Sequence, residues 1–136
     1  MQDKQAKREL AALLEKMRGD YLAGLPVKIQ ALEDVIHDLG QPQPQQDQEA
    51  LYTELYRVVH SMKGTAGTYG IHVISTICRQ FEDYLSLHPV TAVFRGAELT
   101  DVSLRYIAII RHAIDLCARD LQDSYPEIDA RLARLA

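Results

Sequence analysis

His60 is the residue in this chain whose type and setting most directly offer chemistry. It opens the run His60-Ser61-Met62-Lys63-Gly64-Thr65-Ala66-Gly67-Thr68-Tyr69-Gly70. Around it, Leu51, Leu55, Val58, Met62, Ala66 and Tyr69 recur in steps of three and four, which places them on one stripe of an α-helix. At about 100° per residue, His60 falls nearly opposite that stripe, so the helix presents it to solvent. Tyr56, Gly64 and Gly67 share its side, with Lys63 at the flank. A neutral, exposed imidazole is a nucleophile. Lys63 lies one turn on, where i and i+3 side chains meet, and its ammonium can offset negative charge arriving at His60, such as a phosphoryl group. Gly64 costs about 1 kcal/mol relative to alanine inside a helix. A glycine kept on the exposed face points to a partner that must come very close. Reading His60 as a surface histidine with chance neighbours leaves both mid-helix glycines and the offset of Lys63 without a reason.

The elements that must position these residues are helices. Residues 3–39 read as helical, in two pieces: Leu10, Leu14, Met17 and Tyr21 form one stripe, and Leu25, Ile29, Leu32, Ile36 and Leu39 the next. Gly24 and Pro26 lie between them, and Pro26 either kinks one long helix or starts a second. Residues 40–48, with two prolines and no apolar side chain, form a loop. The His60 helix is expected over about 48–68, and Gly70 marks a tight connection. A third helix follows over about 71–87, with Ile74, Ile77, Cys78, Phe81 and Leu85 as its stripe and Glu82 at the stripe's edge. The short connection makes it an antiparallel neighbour. Counting rises from the turn sets Glu82 level with His60, within about one helical turn. Residues 88–97 are expected to be a loop and 98–120 a helix carrying Val102, Tyr106, Ile109, Ile110, Ala113, Ile114, Cys117 and Leu121. Beyond Pro126, the residues Ile128, Leu132 and Leu135 suggest a short last helix.

Other reactive side chains suggest less. His37 has Glu33 at i−4, but a metal needs more ligands, and the Glu-x-x-His pair of di-metal bundles is missing, so no metal site is expected. His72 and His112 read as solvated. Cys78 and Cys117 fall on apolar stripes and read as buried, reduced thiols. The expected fold is all-α: an antiparallel four-helix bundle with additional N- and C-terminal helical segments. It is expected to form a single domain over 1–136, with a core of about 20–122 and helical extensions at 1–19 and 123–136.

The eleven-residue run, with its His60-x-x-Lys63-Gly64 followed by Gly67 and Gly70, resembles the signature of histidine-containing phosphotransfer (Hpt) domains. It is similar in particular to the phosphoacceptor domain of chemotaxis histidine kinases and to Hpt modules of hybrid sensor kinases, and the likeness extends more loosely over about 20–120. It implies a phosphocarrier without kinase activity of its own, accepting a phosphoryl group on His60 and exchanging it with the aspartate of a response-regulator receiver domain. A sensor histidine kinase would be the other partner. No cofactor is implied for this chain; catalytic carboxylates and Mg²⁺ would belong to the receiver. In chemotaxis-type domains a glutamate at the position of Glu82 accepts a hydrogen bond from the histidine Nδ1–H, which would leave Nε2 as the nucleophile. Tyr56, Gly64 and Gly67 would then lie on the receiver-docking face, with Lys63 beside the phosphoryl group.

Composition narrows the alternatives. A formal net charge of −4 lacks the basic footprint of a nucleic-acid binder. No apolar run approaches the roughly 20 residues of a membrane span, and the N-terminus lacks a signal-peptide core, so a cytoplasmic location is expected. Neither G-x-x-x-x-G-K-[ST] nor a kinase glycine-rich loop is present. Two other classes remain: a helical module that docks receivers without phosphotransfer, and a hydrolase using His60 as base. The second needs a substrate pocket, which a convex helix face does not offer.

Overall fold

The structure, a computed structural model, describes residues 2–89 and 96–136. Among these residues the chain forms five helices and no strand: α1 (Gln2–Leu39), α2 (Gln45–Thr68), α3 (His72–Leu87), α4 (Gly96–Arg119) and α5 (Pro126–Leu135). The second half of α1, together with α2, α3 and α4, closes a four-helix ring in which α2 packs between α1 and α3, and α4 between α3 and α1. The short α5 lies on α4.

The core follows the helical periodicity. Leu25, Ile29, Leu32, Ile36 and Leu39 bury one stripe of α1, and Leu55, Val59, Met62 and Ala66 one stripe of α2. From α3 come Ile74, Ile77, Cys78, Phe81 and Leu85; from α4 come Leu99, Tyr106, Ile107, Ile110 and Ala113. Each Leu or Ile removed from water contributes about 1.5–3 kcal/mol, so the stripes, more than helix propensity, hold the ring. The Phe81 and Tyr106 rings stack with centroids 4.7 Å apart and join α3 to α4.

The α2–α3 connection has a local cause. Gly70 adopts φ +74°, which only glycine takes without strain. That bend lets Ile71 N–H donate to Ala66 O at 2.8 Å and Gly70 N–H to Gly67 O at 3.0 Å. These are the paired bonds of a Schellman motif, which satisfies the last carbonyls of α2 and reverses the chain at once.

Several expectations need correction. α1 is a single helix through Pro26. The missing N–H leaves the Leu22 carbonyl without its helical partner. Pro26 sits on the exposed side, while Leu25 and Ile29 on either side are fully buried, and packing overrides the break. Leu10, Leu14 and Met17, which form one stripe in the extension before the core, are exposed, at 57%, 45% and 38%, as is Leu13 at 53%. Arg18 Nε donates to Tyr69 O at 2.9 Å, which marks where the bundle ends along α1; residues 2–17 run past the α2–α3 turn. Leu121 is exposed because α4 stops at Arg119. His112, read as solvated, is half-buried and accepts a hydrogen bond from Arg131 Nη1 at 3.1 Å. The loop expected at 88–97 falls mainly on residues 90–95, outside the described residues.

The end of the chain is part of the packed body. Tyr125, Ile128 and Leu132 are buried. The Tyr125 hydroxyl donates to Asp120 O at 2.6 Å and accepts from Gln122 N–H at 2.9 Å, which folds the turn after α4 onto itself. Gln80 on α3 donates to Leu132 O at 2.8 Å and holds α5 in place.

Candidate functional site

The candidate residues meet along the seam between α2 and α3. On α2, Tyr56, His60, Gly64 and Gly67 follow one another at three- and four-residue steps on one side of the helix, with Lys63 one turn after His60 at the flank. The antiparallel register is set by contacts in step: Tyr56 with Ser86, His60 with Glu82, and Gly67 with Ser75. Ser75 Oγ also donates to Lys63 O at 2.9 Å and ties the two helices together beside the site.

Glu82 is the centre of the cluster. Its residue exposure is only 7%, and both carboxylate oxygens are engaged. Oε1 is 2.6 Å from His60 Nδ1 and accepts the Tyr56 hydroxyl at 3.1 Å. Oε2 is 2.5 Å from Lys63 Nζ. Burial pushes the Glu82 carboxyl up, but the bonds from Lys63, His60 and Tyr56 outweigh it and hold the group below its ordinary value. Glu82 is therefore a carboxylate, which only accepts hydrogen bonds, so the Nδ1 that meets it carries a proton. The neutral imidazole then has its lone pair on Nε2. The His60 side chain is 61% exposed, so that lone pair is open to a partner. The Tyr56 ring lies nearly parallel to the imidazole, 6.4 Å away at an interplanar angle of 6°.

The sequence-predicted residues do not all take the expected places. His60 and Glu82 are within one hydrogen bond of each other. Lys63 was read as a cation free to meet an arriving charge; its ammonium is instead bound to Glu82 and its side chain is 31% exposed. The i+3 offset brought it near His60, but the buried carboxylate between the helices attracts it more strongly than water does. Tyr56, read as part of a docking face, gives its hydroxyl to Glu82. Gly64 is open: a Cβ there would meet nothing within 4 Å. Gly67 lies at the seam, where a Cβ would touch Ser75 Oγ at an ordinary 3.5 Å. The link from Tyr56 to Glu82 was missed, although its i−4 spacing from His60 was a readable signal.

The remaining reactive groups lie elsewhere. Glu33 is bonded by Arg111 at 2.8 Å, and His37 is exposed. Among the described residues no group of three His, Cys, Asp or Glu side chains could hold a metal ion. Cys78 and Cys117 are free and buried, and burial pushes the Cys78 thiol up to about 12, so it stays protonated. A cavity of about 290 Å³ opens between α1 and α2, lined by Tyr21, Leu32, Val58 and Met62 among others, but not by His60. A wider groove of about 430 Å³ lies between α2 and α3 one turn beyond His60, bordered by Lys63, Gly64, Gly67 and Arg79.

No curated protein and no solved structure matches the chain significantly. The family model described as the Hpt domain does match, over residues 7–136. That match spans nearly the whole chain and contains the His60–Glu82 pair, so the protein belongs to the Hpt domain family.

Proposed function

We propose that this chain carries a phosphoryl group on His60 Nε2, between a histidine kinase or receiver donor and the aspartate of a receiver domain. Hpt domains are phosphocarriers of phosphorelay signalling that work with receivers and kinases. The observation that supports the assignment to His60 is the 2.6 Å contact between its Nδ1 and the buried Glu82, on a ring that is otherwise 61% exposed. In the forward step, the Nε2 lone pair attacks the phosphorus of an aspartyl phosphate. The N–P bond forms as the acyl P–O bond breaks, and the electron pair of that bond leaves on the aspartate carboxylate. The ring keeps its Nδ1 proton and becomes a phosphorylated imidazolium, whose new positive charge lies against Glu82. The return step reverses each bond change. No proton has to move, so positioning and electrostatics supply the catalysis, as in phosphoryl transfer generally.

Glu82 is in this reading a positioning residue that fixes the tautomer, and Lys63 and Tyr56 hold Glu82. Open space at Gly64 gives the receiver room beside the nucleophile. Mg²⁺ belongs to the receiver, and the chain has no kinase activity of its own. A cytoplasmic location completes the reading; among the described residues no helix is long and apolar enough to cross a membrane.

The test is incubation with a phosphorylated receiver domain, followed by mass spectrometry. The expected label is on His60 alone, lost in acid and stable in base, and absent from His60→Gln. Receiver binding without any label would instead identify a docking module, and label that persists in His60→Gln would contradict the assignment.

A further inference from the structure

The charge around His60 does not balance for an incoming phosphoryl group. Glu82 contributes one negative charge and Lys63 one positive charge, and the two are bound to each other. On the other side of His60, Arg57 is paired with Glu54 at 2.8 Å. A dianion at Nε2 would therefore meet a cluster of no net charge. Phosphoryl transfer spreads negative charge over three equatorial oxygens, and enzymes that move this group place a cation there.

One cation remains. The contacts between Tyr56 and Ser86, His60 and Glu82, and Gly67 and Ser75 set a register in which Arg79 lies across from Lys63. On α3, Arg79 is one turn before Glu82 and is exposed. It borders the groove of about 430 Å³ with Lys63, Gly64 and Gly67. Among the described residues it makes no hydrogen bond or ion pair. Gly64 adds no side chain to this groove, and a Cβ there would meet nothing within 4 Å, so the space beside Arg79 on the His60 face of α2 is open. Arginine presents a planar fork of donors matched to phosphate oxygens and stays charged at any working pH.

We infer that Arg79 is a further catalytic residue for the transfer, donating to the equatorial oxygens of the phosphoryl group on His60, while Lys63 acts only through Glu82. The inference rests on the relay reading above. It adds no covalent step: the N–P bond forms and the P–O bond breaks as described, and Arg79 supplies charge and direction.

The experiment is single-turnover transfer from a phosphorylated receiver domain to this chain, followed over a range of receiver concentrations. Arg79→Ala is expected to lower the maximal rate tenfold or more, with a smaller change in the half-saturating concentration and an unchanged melting temperature. Arg79→Lys should recover part of the rate, because it returns the charge without the fork. A maximal rate for Arg79→Ala within twofold of wild type would overturn the inference, as would a loss confined to the half-saturating concentration. A second readout uses phosphoramidate as the donor: labelling of wild-type His60 should shift the Arg79 side-chain N–H resonances, and unmoved resonances would contradict the contact. If wild-type His60 takes no label from either donor, the relay reading itself fails. If it takes label and Arg79→Ala takes it from the receiver at the same maximal rate, only the inference about Arg79 fails.

Discussion

At the scale of single residues, the site depends on one buried carboxylate with three donors. Removing a donor should be felt at His60 without unfolding the bundle. Lys63→Ala takes one charge-assisted bond from Glu82, and transfer from a phosphorylated receiver should slow by about fivefold, equivalent to about 1 kcal/mol. An unchanged single-turnover rate would remove Lys63 from the mechanism. The same cluster makes stability depend on pH. The Glu82 carboxyl is held below its ordinary 4.5 in the folded chain, so the unfolded chain binds this proton more readily. The stabilisation is fully present above that ordinary value and is lost as the pH falls through the depressed folded one. Melting curves from about pH 6 to about pH 2 should show a steeper acid loss for wild type than for Glu82→Gln. Equal slopes would mean the carboxylate is not held as described. His60 was legible from the sequence because a helical face can be counted. The pairing of Lys63 with Glu82 was not, because periodicity locates side chains but does not choose among their partners.

At the scale of elements, Gly64 within α2 and Gly70 just beyond its end have opposite duties. Gly64 is helical and open, so Gly64→Ala should stabilise the fold by about 0.4–1 kcal/mol while impairing receiver binding or transfer. Gly64→Gln should leave the fold intact and impair transfer further; unfolding of that variant would place Gly64 in a helix interface. Gly70 has φ +74°, and there Gly70→Ala should destabilise by about 1 kcal/mol or more, measured by denaturant unfolding. Its motif was readable, since a glycine just past a periodic stretch followed by a second stretch signals this turn. The start of α2 at Gln45 and the continuity of α1 through Pro26 were less readable. Both depend on tertiary packing that local propensity does not contain.

At the scale of the whole molecule, the four-helix ring holds α2 and α3 side by side beneath the site, and its stripes were legible as residues three and four apart. The exception is the first part of α1. Leu10, Leu14 and Met17 have the periodicity of core residues, yet the ring ends near Arg18 and among the described residues they stay exposed. An unsupported helix of this length is marginal in water. Amide exchange should therefore be fast over residues 2–17 and slow over 25–39; equal protection would show that the first turns are held by something else. The central claim is that the molecule presents one nitrogen, His60 Nε2, and holds the other through Glu82. It is tested most directly by ¹H–¹⁵N correlation of the imidazole rings in the intact chain after phosphorylation by a receiver. The expected spectrum has phosphorus coupled to Nε2 of His60, with Nδ1 protonated. Coupling to Nδ1, or to any other histidine, would contradict the account.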